Sequence, residues 1–335
     1  MEASEKYEHL LPVYLGNPLK LVKEHDLLRS RFLHQDGDKV DQLGYACQQD
    51  PAKEDPNAIA KQIAATAYSQ TIPKNWSEVV IILDQRGNGP RRGTPDLPDN
   101  ILKSSAPKLT FRPSFGMRQQ KEVLAGTDWK DTVEAMVEAL SSALQTVRGD
   151  TRKVRVIGYA QTGLMWAVGR HFDRTTSADL YAYDQNGVAI TNKGQIRHTS
   201  LPGGNPNAAE QIGKQPSLQA NVTRATVALG VGSKENRAST VQRAVPDVPL
   251  FWIESGLIQD TDQAMNLVAD LVASVKKLRR NHNTSELILF WTTANHVALL
   301  ASANLTSHVI PRIKFMEWSH ASDEYVYLPM PGDPH

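Results

Sequence analysis

Two stretches of this chain lie on one another without a gap, and that self-similarity constrains the fold more than any single motif. Residues 153–184 align with residues 286–317. Val154, Val156 and Ile157 meet Leu287, Leu289 and Phe290. Thr162 meets Asn295, and Gly163 meets His296. Leu164, Ala167, Val168 and Phe172 meet Val297, Leu300, Ala301 and Leu305. Leu180, Ala182 and Tyr183 meet Ile313, Phe315 and Met316. Each copy reads as an apolar run, a polar turn, an apolar helical stretch and a second apolar run.

The similarity extends upstream with small shifts. The helix predicted over 128–147 carries Val133, Met136, Val137, Leu140, Leu144 and Val147 at three- and four-residue spacing, and it matches the helix predicted from Thr261 to Lys277. The apolar run 79–83 matches 225–229, and 111–116 roughly matches 251–256. Strand, helix, strand, helix and strand hairpin therefore recur in the same order in both halves. Fully apolar short runs suit parallel strands covered on both faces. The expected fold class is α/β, with two Rossmann-like units facing each other across a pseudo-twofold axis. Their strand ends would converge on one shared pocket, because open α/β sheets bind ligands at the carboxyl ends of their strands.

A chain of 335 residues has room for this arrangement and a substantial core. We assign residues 76–193 to the first unit and 218–335 to the second. The Gly-, Pro-, Asn- and Gln-rich stretch 194–217 is a linker or inserted loop. Residues 1–75 form a mainly helical N-terminal extension or partner-contact segment, with helices expected over 18–28 and 55–67. The formal net charge of +1 gives no overall pull toward DNA or a membrane. The single cysteine, Cys47, can build neither an intramolecular disulfide nor a cysteine zinc site; separately, no metal and no cofactor are expected. The acidic, mixed start and the lack of a long apolar run predict a cytoplasmic protein.

The strand–turn–helix over 289–300, followed by Ile313-Lys314-Phe315 and Tyr325-Val326-Tyr327-Leu328-Pro329, resembles the end of a SAVED domain. SAVED domains are two fused CARF-like units, which fits the repeat, and the resemblance covers about 76–330. It implies a sensor of cyclic oligonucleotides, of the cyclic tri- or tetra-adenylate type, in CBASS or type III CRISPR anti-phage defence. It also implies ligand-driven head-to-tail self-association that activates an effector. The N-terminal segment matches no effector domain, so either the effector is a separate partner subunit or residues 1–75 belong to the sensor.

Such a ligand needs N–H donors and cations for its phosphates, and flat or edge-reading groups for its bases. The candidate residues follow the strands. Asp84, Gln85 and Arg86 end the first strand of one half; Gly230, Gly232, Ser233 and Lys234 end its counterpart. Gln161 and Thr162 form one mid-repeat turn; Thr293, Asn295 and His296 form the other. Trp252 and Trp291 are candidate stacking surfaces, whereas Trp166, inside a helix, is expected in the core. Glu254 could read an amino edge. Other readings stay open: a ring nuclease or sponge acting on the same messenger, a Rossmann-type enzyme using a nucleotide, or an adaptor with a vestigial pocket. The third-glycine position of a dinucleotide fingerprint is occupied by Glu235, and no Walker motif is present.

Overall fold

The computed structural model describes residues 10–15, 77–84, 98–106, 108–113, 152–172, 178–183, 189–191, 203–212, 225–305, 309–310, 312–319 and 322–330, with the helical positions 129–130, 133–134, 136–137 and 140–141. Two six-stranded sheets carry the fold. The first contains β1 (Leu10–Leu15), β2 (Glu78–Asp84), β3 (Lys108–Pro113), β4 (Arg152–Tyr159), β5 (Ala178–Tyr183) and β6 (Ala189–Thr191), in the order β1-β3-β2-β4-β5-β6. The second contains β7 (Ala209–Gln211), β8 (Ala225–Gly232), β9 (Leu250–Glu254), β10 (Thr284–Trp291), β11 (Arg312–Ser319) and β12 (Glu324–Leu328), in the order β12-β11-β10-β8-β9-β7. The central four strands of each sheet are parallel. An antiparallel hairpin strand closes one side of each, β6 on β5 and β12 on β11.

The helices are α1 (Asp99–Leu102), α2 (within 129–141), α3 (Thr162–His171), α4 (Lys234–Ala244), α5 (Thr261–His282) and α6 (Asn295–Asn304). The repeat is exact where it matters most: α3 and α6 begin and end 133 residues apart, the separation of their first residues Thr162 and Asn295. One apolar core joins the inner faces of both sheets. Val79, Ile81 and Leu83 of β2, Val227, Leu229 and Val231 of β8, and the buried faces of α2, α3, α5 and α6 all belong to it. Each buried Val or Leu contributes ~1.5–3 kcal/mol relative to exposure. The outer faces have smaller cores. Ile101 of α1 covers Val80, Ile82 and Ile157, and Val241 of α4 covers Ala228, Leu250, Trp252 and Phe290.

Three elements depart from the sequence reading. Residues 10–15, assigned to a helical extension, form β1 and pair in parallel with β3. Pro12 is tolerated there because an edge strand can forgo one N–H. The linker candidate 194–217 contributes β7, antiparallel to β9. The stretch after Lys234 is a helix, α4, which its single fully buried apolar residue, Val241, does not announce. The helices expected over 18–28 and 55–67 lie outside the described residues, as do Gln85 and Arg86. Among the described residues no helix is long and apolar enough to cross a membrane.

Candidate functional site: two helix starts at a pseudo-twofold axis

The site is set by how α3 and α6 meet. At their starts, Thr162 Oγ1 donates to Asn295 Oδ1 at 2.7 Å, although these are equivalent positions of the two units. Two turns further on, Gly169 faces its own equivalent, Ser302. A Cβ at Gly169 would stand 1.9 Å from Ser302 Oγ and 2.1 Å from the Leu299 carbonyl oxygen. Equivalent residues meet at both levels only if the helices run side by side in the same direction, with the pseudo-twofold axis between them. Both N-termini therefore open at the same end, next to the carboxyl ends of β4 and β10. Two partial positive charges converge there.

Neither helix start is capped by its own N-cap side chain. The cap of α3 comes from the other unit. Glu317 of β11 accepts from the Thr162 N–H at 2.9 Å and the Gly163 N–H at 2.7 Å, one through each carboxylate oxygen. Asn295 Nδ2 donates to the Ala160 carbonyl at 2.9 Å, closing a network across the axis. Gly163 has no room for a side chain: a Cβ would stand 2.6 Å from Leu328 Cδ1 and 2.8 Å from Trp129 Cη2. Trp129 Nε1 in turn donates to the Pro329 carbonyl at 2.7 Å, a second tie between the halves. Glu317 is half-buried overall, but its carboxyl is enclosed. Burial pushes that carboxyl up to about 7, against the lowering effect of the Thr162 and Gly163 N–H groups.

The structure gathers some sequence candidates here and moves others away. Gln161, Thr162, Asn295 and His296 stand at the two helix starts, with Gln161 and Thr162 each 8% exposed. Thr293 lies in the turn before α6. Gly232 sits beside that turn: its φ is 131°, and a Cβ there would stand 2.2 Å from Thr292 Oγ1. Thr292 donates both its N–H and its hydroxyl to the Val231 carbonyl at 2.9 Å, tying the end of β8 to the end of β10. Asp84 ends β2 opposite Tyr159.

The stacking assignments are corrected. Trp252 is 1% exposed, rests on Gly230 and donates from Nε1 to the Gly232 carbonyl at 2.8 Å, so it belongs to the outer core under α4. Trp291 is buried in the inner core, 5.9 Å from Trp166 between ring centroids, with Nε1 on the Ala294 carbonyl at 3.3 Å. Neither ring offers a face to a base. Glu254 accepts from the Lys234 N–H at 3.0 Å, so it caps α4 rather than standing clear as an edge reader. Lys234 Nζ lies 4.0 Å from Glu210, both well exposed. Ser233 is the N-cap of α4 without a side-chain cap bond.

Sequence reasoning missed Glu317. The gapless repeat pairs it with Asp184, an acidic position closing both copies, and that pairing was its one available signal. Among the described residues, no group of three or more His, Cys, Asp or Glu could hold a metal ion.

Known structures share this architecture. An Acinetobacter baumannii Cap4 SAVED/CARF-domain containing receptor, solved with the cyclic trinucleotide 2′3′3′-cAAA, matches with a TM-score of 0.50 and 14% identity. The same receptor solved with 3′3′3′-cAAA matches with a TM-score of 0.51 and 14% identity. This fold is that of the SAVED/CARF-domain receptors. Each match covers 90% of this chain and 64% of the receptor, so the chain spans less than two thirds of their length. No family profile and no curated protein matches the sequence. The SAVED/CARF arrangement of two Rossmann-like units is what brings α3 and α6 together at one axis.

Proposed function

We propose that this chain is a receptor for a cyclic oligonucleotide of the cyclic tri- or tetra-adenylate type, acting in CBASS-type anti-phage defence. The observation that carries the reading is the convergence of two helix N-termini on a pseudo-twofold axis, in a fold whose solved relatives hold cyclic triadenylates. A cyclic oligonucleotide has near-repeating phosphates and bases around a ring. Two pseudo-equivalent walls match that repetition, and the start of α6 favours its negative charge, the first N–H groups of α3 being taken by Glu317. Lys234 supplies a cation at the start of α4, Arg86 is a second candidate cation by its place in sequence two residues after β2, and Gln161, Thr293, Asn295 and His296 supply polar groups for base edges. Ligand binding drives head-to-tail self-association, which activates a separate effector subunit.

The reaction class is binding without chemistry. Isothermal titration calorimetry over cyclic di-, tri- and tetranucleotides, with light scattering on the same samples, tests it. Cyclic adenylates are expected to bind and to raise the particle mass. A protein that leaves every cyclic nucleotide unbound contradicts the receptor reading, and a protein that cleaves the ring is a nuclease instead.

A further inference from the structure

We propose that Glu317 is a positioning residue: from the second sheet it fastens the first turn of α3, and so sets the spacing of the two helix starts at the pseudo-twofold axis. The inference rests on the receptor reading for its consequence in binding, and on geometry alone for the contact itself.

Three observations carry it. First, the cap crosses between units. Glu317 lies 155 residues from Thr162 in sequence and belongs to β11, whereas α3 belongs to the first sheet. The caps of α4 and α5, Glu254 and Asp260, come from within the second unit. Second, the contact is two-pronged. Both oxygens accept a backbone N–H, which fixes the orientation of the α3 start as well as its distance. Third, the same turn is engaged from α6, through the Thr162 hydroxyl on Asn295 and the Asn295 amide on Ala160. Removing the carboxylate leaves Thr162 held only by this lighter network.

The groups bonded to the carboxylate are neutral, and the titratable side chain at the adjoining α6 start is His296, the residue after Asn295. On α3 the bonded groups are Thr162 and Gly163; opposite on β12 the registered residue is Val326. The causes of its raised pKa include no charged side chain. The strength of the clasp therefore follows Glu317's own ionisation: the carboxylate grips both N–H groups, and the neutral acid grips them less. Each N–H bond to the carboxyl group strengthens as pH rises through neutrality, although burying the bare charge costs the fold more than these bonds return.

The test compares wild type with Glu317→Gln, which keeps the shape but places an amide NH2 against one backbone N–H. Cyclic triadenylate is the probe, titrated by calorimetry between pH 6 and 8. At pH 8, Glu317→Gln is expected to lose about tenfold in affinity through loss of a charge-assisted bond. Wild-type affinity should gain on that of Glu317→Gln across the range, His296 being present in both proteins. Equal affinities with parallel pH profiles overturn the proposal. If neither protein binds a cyclic nucleotide, the receptor reading fails while the clasp is still decided by unfolding. Wild type should then lose stability relative to Glu317→Gln between pH 5 and 7, and a constant gap overturns the clasp as well.

Discussion

Replacing Gly169 by alanine should destabilise the protein, against the usual trend inside a helix. Gly169 lies in α3, where glycine to alanine ordinarily gains about 1 kcal/mol from helix propensity. Here the new methyl would sit 1.9 Å from Ser302 Oγ and 2.1 Å from the Leu299 carbonyl oxygen. The hydroxyl can swing away; the carbonyl is backbone of α6 and cannot move without shifting the helix. Overpacking of this kind costs about 1–3 kcal/mol, and a contact this close to backbone belongs at the upper end. The net expectation is a loss of about 1–2 kcal/mol after the propensity gain. Gly256→Ala is the control, since a Cβ there meets nothing within 4 Å. Urea unfolding gives the free energies, and Ser302→Ala combined with Gly169→Ala should recover only part of the loss, because the Leu299 carbonyl remains. A Gly169→Ala protein as stable as wild type would refute the parallel, axis-centred packing of α3 and α6.

Further perturbations separate the remaining roles. Glu317 holds its proton in the folded state up to about pH 7 but releases it near 4.5 when unfolded, so wild-type stability should fall as pH rises through that window and level off above it. The fall is about 3.5 kcal/mol at most, at ~1.4 kcal/mol for each pH unit between 4.5 and about 7, and Glu317→Gln should lack it; denaturant unfolding at pH 5 and pH 7.5 checks the difference. Trp252→Ala should cost about 3–5 kcal/mol of stability in the same measurement, as expected of a core tryptophan resting on Gly230. Calorimetry on whatever fraction stays folded should find its ligand affinity intact; a selective loss of affinity would restore Trp252 as a stacking residue. Lys234→Ala and Arg86→Ala should each weaken cyclic triadenylate binding by calorimetry, and unchanged affinity in both would remove them from the site.

The repeat made the architecture readable. Val154, Val156 and Ile157 set beside Leu287, Leu289 and Phe290 mark two central parallel strands, and the apolar spacing after Thr162 and Asn295 marks the two axial helices. The meeting of Thr162 with Asn295 was also within reach, because residues at equivalent places in facing units converge on the axis. What stayed hidden depends on contacts that no local pattern encodes. Helix α4 is polar and leans on the sheet through Val241 and Ala238, too few positions to show a period. Strand β7 is largely exposed and owes its place to pairing with β9. Trp252 and Trp291 sit near strand ends, where sequence position suggests a pocket wall, yet their indole N–H groups are satisfied by backbone carbonyls within the fold. Glu317 alternates with outward-facing neighbours along β11, and only the fold reveals that it reaches the start of α3.

The most direct test of the receptor account is calorimetric titration of the purified chain with 2′3′3′- and 3′3′3′-linked cyclic triadenylate, read beside cyclic di- and tetranucleotides. The account predicts saturable binding of a cyclic adenylate with about one ligand per pair of helix starts, weakened by Glu317→Gln. Absence of binding by every cyclic nucleotide, from a protein that unfolds cooperatively and is therefore intact, would contradict it.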